Sequence, residues 1–252
     1  MGESSTPLGR SGVSHVLLDI EGTTCPVSFV ADTLFPYAAA RMASFLETEQ
    51  NNPAVLQLLE QAAQAWEEDD EAAAAALRQK GGTAIGDYLQ LLIRQDRKLP
   101  ALKELQGLIW AQGYANGELR SPLFADVPSA LERWHHQGLV LAVYSSGSVK
   151  AQQLLYGHSE AGDLRALFRF WFDTRTGPKQ AAQSYRTIAA AMATSPPQVL
   201  FISDALAECQ AAAAAGMHVL FSDREGNPAR DPGSFARIAD YSGLEIASPP
   251  AG

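Results

Sequence analysis

The stretch VLLDIEGTT, residues 16–24, is the starting point for interpreting the chain. A short apolar run that ends at a turn signal is typical of a buried β-strand. Asp19 and Glu21 follow this run, and Gly22 permits a tight turn after it. In an open parallel sheet, ligands bind beyond the carboxyl ends of the strands. The stretch therefore predicts a first strand with two carboxylates at its functional end.

Two interpretations of these acids stay open at this stage. Residues i and i+2 of an extended segment point to the same side, so Asp19 and Glu21 could share nucleophilic, acid–base and metal-binding work. An acid after a strand is also a common turn residue or helix cap. The residues that follow the other strands decide between the two.

The composition predicts a folded protein with one large domain or two smaller ones. The chain has 252 residues, of which 46% are hydrophobic and 19% charged, and its formal net charge is −9. Without a basic block, no nucleic-acid partner is expected. No apolar run approaches the roughly 20 residues of a bilayer span, so no membrane partner is expected. Two cysteines, Cys25 and Cys209, exclude a disulfide framework and favour a cytoplasmic location without a secretion signal.

Hydrophobic periodicity divides the chain into segments. Residues 1–14 are predicted to be a flexible N-terminal tail and residues 248–252 a flexible C-terminus. Strand and helix patterns alternate in residues 15–28 and 121–247, which predicts an α/β core with a mainly parallel sheet. Residues 29–120 show helical patterns only and are predicted to be an inserted helical cap. Within it, the acidic run Glu67–Glu71 is expected to form a solvated helical face.

The predicted elements of the core alternate in type. The predicted strands are His15–Ile20, Leu139–Tyr144, Phe168–Phe172, Gln198–Ile202 and Met217–Phe221. The predicted helices are Phe29–Glu47, Pro53–Lys80 as one helix or two, a segment that ends near Arg97, Ala101–Tyr114, Pro128–Gln137, Val149–Tyr156, Gln180–Ala193 and Leu206–Ala215.

Polar residues follow the later strands as well. Ser145 and Ser146 come after the second strand, Lys179 lies in the loop after the third, and Asp204 follows the fourth with Glu208 four residues on. Each has an ordinary alternative: the serines and Asp204 as helix caps, and the lysine as a surface charge. Together they would place carboxylates, a hydroxyl and an ammonium at one sheet edge. Such a set suits a phosphate and a hard divalent cation.

The order of these residues resembles the haloacid-dehalogenase superfamily of phosphohydrolases. Several further motifs are similar to the enolase-phosphatase family of methionine salvage, and the resemblance runs from about Val16 to Phe221. These motifs are LDIEGTT (18–24), SFV (28–30), LFPY (34–37), LQG (105–107), FADV (124–127), YSSGS (144–148), LYGHS (155–159) and SYR (184–186). The resemblance implies a Rossmann-like core of haloacid-dehalogenase type with an inserted all-helical cap.

The resemblance also implies catalytic roles. Asp19 is expected to be the nucleophile that forms an aspartyl phosphate, and Glu21 the general acid–base. Lys179 is expected to pair with a phosphate oxygen and with Asp19. Glu208 could orient Lys179 or the metal shell. Cys25 stands where a hydroxyl residue is common and is expected to be a packing residue.

The implied binding residues complete the site. One Mg²⁺ per subunit is expected to be held by Asp19, by Asp204 and by the backbone carbonyl of Glu21. Ser145 and Ser146 are expected to hold the substrate. Phe29, Phe35 and Trp110 are candidates for an apolar wall in the cap, although Trp110 is better explained as cap core.

The implied activity is a two-step conversion. The family substrate, 2,3-diketo-5-methylthiopentyl 1-phosphate, is enolised and then dephosphorylated to the acireductone 1,2-dihydroxy-3-keto-5-methylthiopentene. The alternatives are a phosphatase of the same superfamily without the enolase step, a dehalogenase, and a catalytically inactive binding module. The partner expected is a small phosphorylated diketone, and the family implies a monomer.

Overall fold

The computed structural model describes residues 8–80, 84–95 and 97–247, which form two compact units. One unit contains the chain up to Phe29 and from Arg120 onward, and the other is Val30–Leu119. The strands are β1 (Leu8–Ser11), β2 (His15–Leu18), β3 (Val140–Tyr144), β4 (Phe168–Phe172), β5 (Val199–Ser203), β6 (His218–Ser222), β7 (Arg237–Ile238) and β8 (Leu244–Ala247). The α-helices are α1 (Phe35–Thr48), α2 (Pro53–Glu67), α3 (Ala72–Gln79), α4 (Ile85–Arg94), α5 (Pro100–Ala115), α6 (Val127–His136), α7 (Val149–Gly157), α8 (Ala182–Ala191) and α9 (Leu206–Ala214).

The first unit is built on a parallel sheet of six strands in the order β4-β3-β2-β5-β6-β7. From β2, the chain first adds β3 and then β4 on one side of the sheet. It then adds β5, β6 and β7 in turn on the other side of β2. The strand order therefore reverses between β2 and β5, which is where ligands bind in sheets of this kind. The mainly parallel α/β core predicted from the sequence is confirmed.

The central strands have continuous apolar sequences because both of their faces are buried. Val16, Leu17 and Leu18 of β2 are fully buried, as expected for a parallel strand covered by helices on both sides. In register, Leu18 lies between Val143 of β3 and Ile202 of β5. Strand β4 has the predicted bounds, and the other four predicted strands differ only at their ends.

One face of the sheet packs on helices α8 and α9. Leu17, Phe201 and Phe221 from three strands share a core cluster with Tyr185 and Cys209 from the helices. The rings of Tyr185 and Phe201 meet edge to face, with centroids 5.0 Å apart. This packing fixes the helices behind the strand ends that carry the polar residues.

Within the described residues of Val30–Leu119, every regular element is helical. A π-helical segment, Phe29–Leu34, leads into α1. The unit has its own core, in which Trp66 stacks on Tyr88 with ring centroids 5.2 Å apart. Trp110 packs against the same core and donates from Nε1 to the carbonyl of Leu34 (2.8 Å).

Two expectations were wrong. The predicted N-terminal tail contains strand β1, which pairs in parallel with β8 over Leu8–Ser11 and Leu244–Ala247. That pairing joins the two ends of the chain, so no local pattern signals it. Residues 1–7 and 248–252 of the predicted flexible ends lie outside the described residues.

The acidic run is the second correction. Helix α2 ends at Glu67 and α3 begins at Ala72, so most of the run is a connection between helices. Asp69 is buried rather than solvated, because Arg97 and Tyr88 bind its carboxylate at 2.7 and 2.9 Å. A buried acid with two such partners is a packing element of this unit.

Both cysteines are buried thiols, as expected of packing residues. Burial, reinforced by the negative charge of Glu21, raises the pKa of Cys25 to about 12, and burial does the same for Cys209. A thiol that stays protonated is a poor nucleophile. Across the described residues, no helix combines the length and the apolar character that a bilayer crossing requires.

Candidate active site

Asp19 lies directly after β2, at the point where the strand order reverses. Its backbone N–H donates to the carbonyl of Ile202 (3.0 Å), which extends the pairing with β5 by one residue. Oδ1 accepts hydrogen bonds from Lys179 Nζ (2.7 Å) and from the N–H of Ile20 (2.8 Å), and Oδ2 accepts one from Ser203 Oγ (3.0 Å). The carboxylate is therefore held at both oxygens.

Lys179 bridges two acids. Its ammonium group lies 2.7 Å from Asp19 Oδ1 and 2.7 Å from Glu208 Oε2, and its side chain is only 10% exposed. Burial alone would lower the pKa of Lys179, but the charges of Asp19 and Glu208 outweigh burial and raise it. Tyr185 donates to the carbonyl of Lys179 (2.7 Å), which fixes the loop after β4. The lysine is thus a fixed cation beside Asp19.

The carboxylates of the site outnumber this cation. Burial and the negative charge of Asp19 raise the pKa of Asp204 to about 7, with a smaller contribution from Glu21. Burial and Asp19 also raise the pKa of Glu208 to about 7, although Lys179 and Ser203 hydrogen-bond to its carboxylate. Burial and a neighbouring like charge thus act in the same direction on both carboxyl groups, and a cation bound beside them would oppose both effects.

The turn after β2 brings Glu21 and Asp204 near each other. Gly22 has φ +66°, and a Cβ atom there would lie 2.1 Å from Asp204 Oδ2. Only glycine allows this close approach. Asn227 Nδ2 and Ser222 Oγ each donate to the carbonyl of Gly22 at 2.9 Å, which holds the turn from the other side.

The loop after β3 carries the predicted serines. Ser145 is buried, and its Oγ accepts from the N–H of Gly147 (3.2 Å), which leaves the hydroxyl hydrogen available for donation. Ser148, rather than Ser145 or Ser146, caps helix α7 by accepting from Ala151 N (3.3 Å). Gln152 Nε2 donates to the carbonyls of Gly147 and Phe172 at 2.8 Å each and so ties this loop to the end of β4.

The structure brings four of the predicted residues into one charge cluster: Asp19, Lys179, Asp204 and Glu208. Glu21, Ser145 and Ser146 lie in loops that leave the same sheet edge. Sequence reasoning did not assign Ser203, Asn227 or Gln152. The position of Ser203 in the sequence, beside Asp204 at a strand end, could have indicated that it belongs to the site. Asn227 and Gln152 act through long-range contacts with no local signal.

Comparison with known proteins agrees with this geometry. A family model described as haloacid dehalogenase-like hydrolase matches residues 13–216. Enolase-phosphatase E1 of Synechococcus sp. (strain RCC307) is 52% identical over 214 residues, which cover 84% of this chain and 86% of that protein. The protein of the same name from strain CC9902 is 48% identical over 227 residues, which cover 87% and 93%.

The chain belongs to the enolase-phosphatase family of the haloacid dehalogenase-like hydrolases.

The crystal structure of the UTR4 protein of Saccharomyces cerevisiae is similar to this enolase-phosphatase family member, with a TM-score of 0.74 and 32% sequence identity. The match covers 92% of this chain and 99% of the yeast chain. The family resemblance and the fold class predicted from the sequence are both confirmed.

Phosphatases of this family typically need a divalent metal ion, and the donor set here fits one. Asp19 and Asp204 offer carboxylate oxygens beside a turn whose backbone approaches Asp204. No set of three His, Cys, Asp or Glu side chains arranged for a metal occurs in the part of the chain that the structure describes. Two carboxylates completed by backbone, water and substrate oxygens are the arrangement that Mg²⁺ accepts, whereas Zn²⁺ favours sites of nitrogen and sulfur ligands.

Proposed function

We propose that this protein is the bifunctional enolase-phosphatase of methionine salvage. It converts 2,3-diketo-5-methylthiopentyl 1-phosphate, through its enol phosphate, to 1,2-dihydroxy-3-keto-5-methylthiopentene and phosphate. The protein is an enzyme, a hydrolase of phosphoric monoesters with an enolase step, and its family membership supports the substrate. The geometry that supports this chemistry best is the carboxylate of Asp19, which is hydrogen-bonded at both oxygens where the strand order reverses between β2 and β5.

Asp19 is the nucleophile in this proposal. Its carboxylate attacks phosphorus, the bond to the substrate oxygen breaks, and an aspartyl phosphate forms. Lys179, fixed 2.7 Å from Oδ1, offsets the repulsion between the carboxylate and the anionic phosphoryl group. A solvent-exposed lysine would not do this as well, because its charge would be screened.

Glu21 is the proposed general acid–base. It gives a proton to the leaving oxygen in the first half-reaction and takes one from the water that attacks the aspartyl phosphate in the second. Glu21 follows Asp19 by two residues, directly before the turn at Gly22, which supports a shared role for the two acids. Ser145 and Ser146 are proposed to donate to substrate oxygens from the neighbouring loop.

The proposed metal ion is one Mg²⁺ per subunit, held by Asp19, Asp204 and the backbone carbonyl of Glu21. When bound, it stabilises negative charge on the substrate oxygens in both the enolase and the phosphatase steps. The negative charge that the carboxylates concentrate around Asp204 supports this placement.

The proposal is tested by following the acireductone chromophore and phosphate release together, under anaerobic conditions, with the proposed substrate and Mg²⁺. Both products should appear, and Asp19→Asn should abolish phosphate release while Asp163→Asn, at an exposed carboxylate, leaves it unchanged. If simpler phosphate esters are hydrolysed but this substrate stays intact, the substrate assignment is wrong. Full activity in Asp19→Asn would refute the assigned nucleophile.

Four properties remain predictions from the sequence and the family: the location, the oligomeric state, the partners and the residues that contact the methylthio group. The protein is proposed to be a cytoplasmic monomer without nucleic-acid or membrane partners. Phe29 and Phe35 remain candidates for contact with the methylthio group. Size-exclusion chromatography with light scattering tests the monomeric state.

A further inference from the structure

Ser203 is the last residue of β5 and is fully buried beside the proposed nucleophile. Its hydroxyl oxygen lies 3.0 Å from Asp19 Oδ2 and 3.1 Å from Glu208 Oε2, and it accepts a hydrogen bond from the N–H of Ala205 (3.2 Å). These three polar contacts indicate that the Ser203 hydroxyl has a role in the site beyond the end of the strand.

The hydroxyl carries one hydrogen and faces two carboxylates, so it can donate to only one of them at a time. Glu208 Oε2 already receives Lys179 Nζ at 2.7 Å. Asp19 Oδ2 has Ser203 as its donor, whereas Asp19 Oδ1 is bound by Lys179 and by the N–H of Ile20. The lysine thus satisfies Glu208 and favours donation from Ser203 to Asp19.

The donation to Oδ2 matters because an aspartate carboxyl group rotates freely about its last side-chain bond. Rotation about this bond moves both oxygens, so the two donors on Oδ1 already limit it. A donor on Oδ2, itself fixed by the N–H of Ala205, limits it from the opposite side and so defines the plane of the carboxylate more tightly. In-line attack on phosphorus depends on that plane, since misplacing a reacting group by about 1 Å can cost about 100-fold in rate.

We propose that Ser203 is a positioning residue for phosphoryl transfer, whose hydroxyl holds Asp19 Oδ2 and thereby orients the nucleophilic carboxylate. This inference rests on the proposed function of Asp19. It concerns the rate of the phosphoryl-transfer step and not substrate binding.

Ser203→Ala should lower kcat by about 10- to 100-fold with little change in KM, since only the orientation of the nucleophile is lost. Ser203→Thr, which keeps the hydroxyl, should recover most of the rate. Ser159→Ala is the matched control: Ser159 is buried, donates to the carbonyl of Gly162 (2.6 Å), and lies in the loop after α7. It should keep the wild-type kcat.

A second readout separates positioning from a general loss of structure. Beryllium fluoride with Mg²⁺ mimics a phosphoryl group on aspartate, and Ser203→Ala should weaken its inhibition while the thermal unfolding midpoint stays near that of Ser159→Ala. If Ser203→Ala matches the control in both kcat and beryllium fluoride inhibition, the inference is overturned. The same holds if threonine folds but recovers nothing.

The order of experiments keeps the two proposals distinct. Wild type and Asp19→Asn are measured first. Full activity in Asp19→Asn overturns the proposed function and this inference together. Loss of activity there, with wild-type kcat in Ser203→Ala, overturns the positioning role alone.

Discussion

Replacing Lys179 by methionine removes the ammonium group that Asp19 and Glu208 share and keeps most of the aliphatic stem. Both ion pairs are 2.7 Å long and join side chains that are 8–14% exposed, so solvent screens them little. Breaking a buried ion pair by removing one partner costs about 3–5 kcal/mol of unfolding free energy. Because Glu208 can take up a proton in place of the lysine charge, we expect about 3 kcal/mol for Lys179→Met.

The same substitution should reduce kcat by about 10²- to 10³-fold, the usual effect of removing one fixed stabiliser of transition-state charge. Stability and activity should then separate in the double variant Lys179→Met/Glu208→Gln. Its unfolding free energy should recover by about 1 kcal/mol or more, because one unpaired carboxylate is gone. Its kcat should stay low, because the cation beside Asp19 is still missing.

Urea unfolding followed by tryptophan fluorescence gives the stability of these variants, and steady-state assays give kcat. Lys98→Met, at an exposed lysine, is the control for the loss of a positive charge. Wild-type kcat in Lys179→Met would refute the role of the lysine in transition-state stabilisation. A double variant less stable than Lys179→Met would refute the proposed charge balance.

Three further predictions address the turn, the helical unit and the metal. Gly22→Ala should lower activity and metal affinity at least tenfold, because its Cβ would overlap Asp204. Gly117→Ala is the control for backbone strain alone, because Gly117 has φ +78° and no atom near the position of an added Cβ. Equal losses of activity in Gly22→Ala and Gly117→Ala would contradict the predicted overlap with Asp204. Asp69→Asn should cost about 1–3 kcal/mol in urea unfolding at pH 7. Burial acts to raise the pKa of Asp69, but hydrogen bonds from Arg97 and others hold this pKa below 3.8. The stabilisation from Asp69 is therefore present above pH 3.8 and is lost as the pH falls. A stability difference between wild type and Asp69→Asn that does not change with pH would contradict this prediction. EDTA should stop turnover and added Mg²⁺ should restore it, whereas activity that persists in EDTA would exclude metal dependence.

The core strands were predictable because their signal is local. Strand β2 is a continuous apolar run with an acid after it, and β5 repeats that pattern before Asp204. Parallel strands buried on both faces keep such runs, and their carboxyl ends meet at one edge. The sequence therefore indicated both the fold class and where polar residues would gather.

The remaining features depend on contacts between distant residues. Strand β1 exists through its pairing with β8, and Asp69 is buried because Arg97 and Tyr88 reach it. Charge runs are solvated in most proteins, and the other four acids of residues 67–71 are exposed, so the prediction was wrong only in the helical conformation of most of the run and in the burial of Asp69. Ser203 could be placed at a strand end from sequence, but its bond to Asp19 required the register of β2 and β5.

The central claim is that phosphate leaves the substrate by way of Asp19. The most direct test is rapid acid quenching during turnover of the proposed substrate, followed by peptide mass spectrometry. A phosphoryl group on the peptide that contains Asp19, and on no peptide of Asp19→Asn, is the expected result. Turnover with the phosphoryl group on another residue, or undiminished turnover by Asp19→Asn, would contradict it.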